Sequence, residues 1–205
     1  MPRLRESTAE LHESVEKHPF QVSLMAGTLS RQAFAEFLGQ MWMVHRFLEA
    51  QLRVHRGTVP AMEAVVHDYQ FKEKHLVADL SFFGFELESV QATPATVRLF
   101  ETIKNLSEQA PFALLGMHYV LEGSTNGGKF VAKRVSAAFG LVGPDGLRYL
   151  DPYGDQQRGH WQTFKQSMDA QDFNPEQQEM LVAAAKTMFS SIGAICEDLW
   201  RARAA

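Results

Sequence analysis

The chain has one cysteine, Cys196, in 205 residues. That excludes an internal disulfide and a cysteine-rich zinc site. A lone thiol is compatible with a reducing compartment. Excess positive charge is also missing: 20 basic residues stand against 24 acidic ones, for a formal net charge of −4. With no long basic run, bulk electrostatics gives no reason to expect nucleic acid or an anionic membrane as partner. No uninterrupted apolar run approaches about 18 residues, so no membrane span is expected. Residues 1–16 read as a charged amphipathic helix and not as a signal peptide, which makes the cytoplasm the expected location. There is no P-loop, no dinucleotide fingerprint and no G-x-S-x-G. What remains is apolar content: 45% of the residues are hydrophobic and 11% aromatic. That is enough for a real core, and one globular domain over residues 1–205 is expected.

The dominant period is helical. Leu181, Ala184, Ala185, Met188, Phe189, Ile192, Ile195, Cys196, Leu199 and Trp200 recur at three and four residues, as one apolar stripe on a long helix. Asn174 before Pro175, with Gln177 three residues after the cap, marks its start. Ser30 opens a second long stretch that ends at Gly57. A third is predicted from Met62 to about Phe83, with His67, Asp68, Glu73 and His75 on a solvated face. Thr93-Pro94 opens a fourth, and Pro111 leads into a fifth from Phe112 to about Phe139. Turn signals at 143–146 and 151–154 mark residues 140–154 as non-helical, and a shorter helix from about Gln156 to Met168 follows. No strand pair is legible. The fold class is all-α, a bundle of about seven helices.

Two helices carry candidate chemistry. On the first, His12 falls at the edge of the Leu4–Thr8–Leu11–Val15 stripe, about 80° from Leu4. Arg5 lies on the same side, roughly 10 Å away. An imidazole that ligates a metal and a guanidinium that pairs with a carboxylate would thus face one cavity. The plainer alternative is a boundary histidine and a solvated arginine. The helix from Phe112 to Phe139 holds Gly116, Gly123, Gly127 and Gly128. Each interior glycine costs about 1 kcal/mol against alanine. Gly123 and Gly127 each project within about 20° of Gly116, as a stripe without side chains. Either a flat ligand or a neighbouring helix approaches there. The run from Gly123 through Ser124, Thr125 and Asn126 to Gly128 invites a kink. Three His-x-x-x-Glu pairs, His12/Glu16, His45/Glu49 and His118/Glu122, each share a helix face. Together they leave open a di-metal site in the bundle.

Three segments resemble the haem oxygenases, specifically the bacterial biliverdin-producing type. Residues 4–12, Leu-Arg-Glu-Ser-Thr-Ala-Glu-Leu-His, are similar to the family's first helix, which ends in the proximal haem ligand. Residues 119–128, Tyr-Val-Leu-Glu-Gly-Ser-Thr-Asn-Gly-Gly, resemble the distal helix. Residues 185–189 leading to 196–200 are similar to the last helix, and Tyr153-Gly154 followed by Trp161 and Phe164-Lys165 fits bacterial members.

The resemblance implies a helical bundle with a kinked distal helix, holding haem as substrate and cofactor. His12 would ligate the iron, oriented by Glu16, while Arg5 and Lys165 would face the propionates and His118 would line the haem. Gly123, Ser124, Asn126, Gly127 and Gly128 would form the distal wall. The products implied are biliverdin, carbon monoxide and ferrous iron, with electrons from a ferredoxin, a reductase or ascorbate. Downstream, the resemblance leaves open a biliverdin-using phytochrome as partner or an iron-scavenging pathway. Ser124 stands where animal members carry an aspartate, so proton delivery falls to water held by Ser124, Asn126 or backbone. Asn126 replaces a leucine, and Asp169 replaces a propionate-facing arginine. A haem-oxygenase-like di-iron oxidase and a non-catalytic tetrapyrrole-binding protein are the alternatives.

Overall fold

The computed structural model describes residues 1–203, and its longest helix organises the rest. That helix, α9 (Pro175–Ala202), begins with the expected reciprocal cap: the Asn174 side chain accepts from the Gln177 N–H, and the Gln177 side chain accepts from the Asn174 N–H. Its apolar stripe is buried from Leu181 to Leu199. Three helices lie along it: α1 (Pro2–Glu16), α6 (Pro94–Gln109) and α7 (Leu114–Phe139). By length and composition α9 could cross a membrane, with a mean hydropathy of 1.3 over its most apolar window. An uninterrupted apolar run was not needed to reach that value. The burial of its stripe under α1, α6 and α7 accounts for the composition.

The remaining helices are α2 (Pro19–Ala26), α3 (Arg31–Arg56), α4 (Pro60–Val65), α5 (Glu73–Phe82) and α8 (Gln157–Asp169). Ser30 and Thr93 cap α3 and α6 as their side chains dictate, accepting from the N–H groups of Ala33 and Thr96. Gly140, with φ of 65°, closes α7 in the left-handed conformation that glycine adopts without strain. No strand occurs among the described residues.

Nine α-helices, and not about seven, are present among the described residues. One addition is α2, a short helix opened by Pro19 that the periodicity of residues 1–30 did not separate. The other comes from the stretch predicted as one helix over 62–83. The chain there turns extended at Val66 and again at Phe71, with a single 3₁₀ turn between. The Gln70 side chain holds the break: its Oε1 accepts from the His67 N–H and its Nε2 donates to the Val65 carbonyl. These bonds satisfy backbone groups that a continuous helix would have paired. The segment read as a solvated face therefore carries Gln70 and Lys72 into the interior.

The glycine stripe of α7 divides. Gly116 serves helix packing, because a Cβ there would overlap the carbonyl oxygen of Leu181 in α9. Gly128 does the same against the carbonyl of Leu150 in the connection before α8. Only Gly123 and Gly127 keep room for a side chain. Substituting Gly116 by alanine forces α7 and α9 apart and is expected to cost about 2–3 kcal/mol. Urea unfolding of Gly116→Ala beside the parent protein measures it.

Candidate functional site

α1 is attached by one face. Leu4 and Thr8 are buried, whereas Arg5, His12 and Glu16 are exposed. The His12 imidazole stands edge-on to Phe189 of α9, with ring centroids 5.5 Å apart. Its Nδ1 lies 3.5 Å from Glu16 Oε2, and its side chain is 55% exposed. The ring is oriented on two sides, and Nε2 makes no hydrogen bond among the described residues. Arg5 makes no ion pair among the described residues.

α7 presents the opposite wall. Tyr119, near Arg5 and Thr8, points toward α1; burial raises its phenol pKa while those two neighbours oppose the rise. One turn on, Gly123 meets the edge of the Trp161 indole, about 3.4 Å from where a Cβ would stand, and a Cβ on Gly127 would meet nothing within 4 Å. Ser124, Asn126 and Gly127 are exposed beside them.

The helix runs from Leu114 to Phe139 through the segment where the sequence invites a kink. Polar side chains in the run turn onto carbonyls three residues back: Ser124 Oγ to Leu121 O at 2.7 Å, Thr125 Oγ1 to Glu122 O at 2.6 Å, and Asn126 Nδ2 to Gly123 O at 2.9 Å. Such back-bonding loosens the ladder without severing it.

Two expected site residues lie elsewhere. Gly128 faces Leu150 and does not line the open side of α7. His118 is fully enclosed, its Nε2 3.1 Å from Gln70 Oε1 and its ring edge-on to Phe164. It is a core histidine and not a ligand of the cleft, because the turn of α7 that carries it faces the interior. Burial holds its pKa down to about 3, with Lys72, His45 and His67 pressing the same way.

A surface cleft of about 450 Å³ opens where α7 meets α8, bordered by Asn126, Lys129, Arg158, Trp161 and Lys165. Lys165 makes no ion pair among the described residues; its Nζ lies 5.9 Å from the Trp161 ring. Asp169, which replaces an expected arginine, does not face this cleft's cations but the Met1 amino group, at 2.6 Å.

Behind α7 is a polar cluster that periodicity did not reveal. Lys72 Nζ donates to Gln70 O (2.6 Å), Tyr153 Oη (2.6 Å) and Glu122 Oε2 (3.2 Å). The Tyr153 hydroxyl in turn donates to Glu122 Oε1 at 2.6 Å. Both charged side chains are 1% exposed. Burial lowers the Lys72 pKa, with the Glu122 carboxylate opposing; burial and the same carboxylate raise that of Tyr153. Glu49 Oε1 accepts from the Lys72 N–H (2.6 Å) and lies 2.9 Å from His45 Nδ1. Two of the three His-x-x-x-Glu pairs thus belong to one cluster, with an ammonium ion between Glu122 and its neighbours. No group of three or more His, Cys, Asp or Glu side chains converges as metal ligands among the described residues.

The Heme oxygenase family model matches residues 1–198. The chain belongs to the haem oxygenase family. Haem oxygenases degrade haem, so haem is this protein's substrate. Among curated proteins it is similar to the haem oxygenase of Rhodella violacea, at 21% identity over 202 residues, 96% of this chain and 85% of that one. Among solved structures it is similar to the haem oxygenase of Leptospira interrogans, with a TM-score of 0.88 and 25% identity over 94% of this chain and 96% of the other. Haem oxygenase-2 of Synechocystis sp. PCC 6803, a structure in complex with haem and NO, shares the fold at a TM-score of 0.92 and 20% identity, covering 98% of this chain and 85% of that one.

The neutral imidazole inside this haem oxygenase has a consequence for acid stability. In the unfolded chain His118 takes a proton as pH falls below about 6.5, but in the folded chain it waits until about 3. The stability it contributes above pH 6.5 is therefore lost progressively on acidification across that window. His118→Gln is expected to flatten the fall by up to one proton, about 1.4 kcal/mol per pH unit. Urea unfolding at pH 7, 6, 5 and 4 reads the difference in slope.

Proposed function

We propose that haem lies between α1 and α7 on the surface of α9, with His12 ligating the iron, and is cleaved to biliverdin, carbon monoxide and ferrous iron. One observation carries this reading. An accessible imidazole on α1 and the Gly123/Gly127 face of α7 stand on two helices that both pack on α9. The donor set fits the substrate. The imidazole keeps one nitrogen free, as an iron ligand must. Arg5 and Lys165, lacking carboxylate partners, suit the two propionates of a flat dianion.

Bound haem supplies the iron that activates dioxygen and the macrocycle that is cut. The protein's contribution is geometric and protic. Glu16 and Phe189 hold the His12 ring in one orientation, the first by a polar contact and the second by its edge. Gly123 and Gly127 bring backbone, and no side chain, to the distal side, which limits what fits there. Ser124 donates its proton to Leu121 O, leaving its oxygen to accept from water. Asn126 Oδ1 accepts from Gln157 Nε2 at 3.2 Å. Both groups thus offer places to order the water that delivers protons. The electron donor is external, a ferredoxin, a reductase or ascorbate, and a biliverdin-using phytochrome is a candidate recipient of the product. The buried thiol of Cys196, whose pKa burial pushes up to about 11, suits a reducing cytoplasm.

Titration of the protein with haem, followed by reductant in air, tests the reading. A one-to-one Soret complex that decays to a biliverdin spectrum is the expected result. Binding without decay would make it a haem-binding protein, and no binding would remove His12 from the site. His12→Ala is expected to weaken haem affinity at least tenfold and to abolish the imidazole-ligated spectrum. Gly127→Ala separates the two demands on α7. Lacking any neighbour for the new methyl group, it is expected to stabilise the haem-free protein by about 0.5–1 kcal/mol. In the distal wall the same methyl group should slow product formation severalfold.

A further inference from the structure

Gly123 and Gly127 add no side chain to the open face of α7; the Trp161 edge at Gly123 is an apolar contact, and a Cβ on Gly127 would meet nothing within 4 Å. The chain is also soft there, with three glycines and three back-bonded polar residues between 123 and 128. Most of the directional contacts that hold it come from behind.

Behind it the contacts are dense and directional. Glu122 leaves α7 one residue before Gly123, and each of its oxygens holds a different partner, Tyr153 on Oε1 and Lys72 on Oε2. The three donors of the Lys72 ammonium are matched by three acceptors, Gln70 O, Tyr153 Oη and Glu122 Oε2. The backbone N–H of Lys72 is tied in turn to Glu49 of α3. The connection that carries Tyr153 is itself anchored. Asp79 of α5 accepts from the N–H groups of Arg148 and Tyr149 at 3.0 and 2.8 Å. This connection and the start of α8 reach α7 again. The Leu150 carbonyl fills the space at Gly128, and Gln157 Nε2 donates to Thr125 Oγ1 at 2.8 Å.

We infer that Lys72, acting through Glu122 and Tyr153, is a positioning residue that sets the placement of the Gly123–Gly127 backbone and thereby the edge at which haem is cut. The second half of this inference rests on the function proposed above; the first half does not. A buried ion pair contributes little net stability against apolar residues of the same volume, since desolvation offsets the attraction. What a closed triangle of charged and hydroxyl groups does supply is direction. Lys72 touches no substrate atom and works through the helix.

The test has two arms. Hydrogen exchange of the haem-free protein reads the helix without any turnover. Lys72→Met, which keeps the length of the side chain and removes the charge, is expected to speed exchange of amides 122–128 at least tenfold and leave α3 and α6 within twofold of the parent. Tyr153→Phe, losing one hydroxyl, should raise the same amides about threefold, and it carries this arm should Lys72→Met not fold. In the second arm the haem-loaded proteins are turned over and the biliverdin isomers separated. A changed isomer ratio in either variant is expected. Unaltered exchange at 122–128 would overturn the positioning role, and so would an equal rise in every helix, which marks general destabilisation. Localised exchange with an unaltered isomer ratio would overturn the link to the cleavage edge. Failure of the parent protein to bind haem would refute the proposed function while leaving the first arm readable.

Discussion

The contact between Gly116 of α7 and the Leu181 carbonyl of α9 sets the scale for everything around the cleft. It brings two backbones closer than any side chain would permit, and the other wall, α1, also packs on α9. The spacing between His12 and the bare turn at Gly123 is thus the spacing of two helices on a common support. A long apolar stripe on one helix is what makes such a support, and α9, the longest helix, carries it.

Much of this was legible in the sequence. Caps announce themselves locally: Ser30, Thr93 and Asn174 bond to residues three positions on, and each marked its helix correctly. The spacing that put Arg5 and His12 at the edge of one stripe needs only the helical period, and both are exposed on α1. The glycine stripe of α7 was visible too, but its meaning was not. Periodicity says which residues share a direction and nothing about what comes to meet them. Gly116 met a helix, Gly123 met Trp161, and Gly127 met open space. Gly128 and His118 were misplaced for the same reason: their partners, Leu150, Gln70 and Phe164, lie far along the chain.

The interior charge was hidden more thoroughly. Lys72 sits in Lys-Glu-Lys-His, a run that composition assigns to water. Only the break in the predicted helix, held by Gln70, turns that lysine inward, and only the return of Tyr153 from some eighty residues later completes its surroundings. The signal available was Glu122 itself, a carboxylate on the inward side of a helix flanked by buried Leu121 and Thr125. A buried carboxylate requires a partner, even when the sequence does not say which.

The one-sided attachment of α1 changes what ligand affinity means here. This helix commits only Leu4 and Thr8 fully to the interior, and it rests chiefly on one partner, α9. A ligand that bridges the two walls spends part of its binding free energy ordering the weaker one. Affinity and the local order of residues 1–16 then become two readings of one equilibrium. Departure of a product that no longer ties the walls together is, by the same linkage, the loosening of α1.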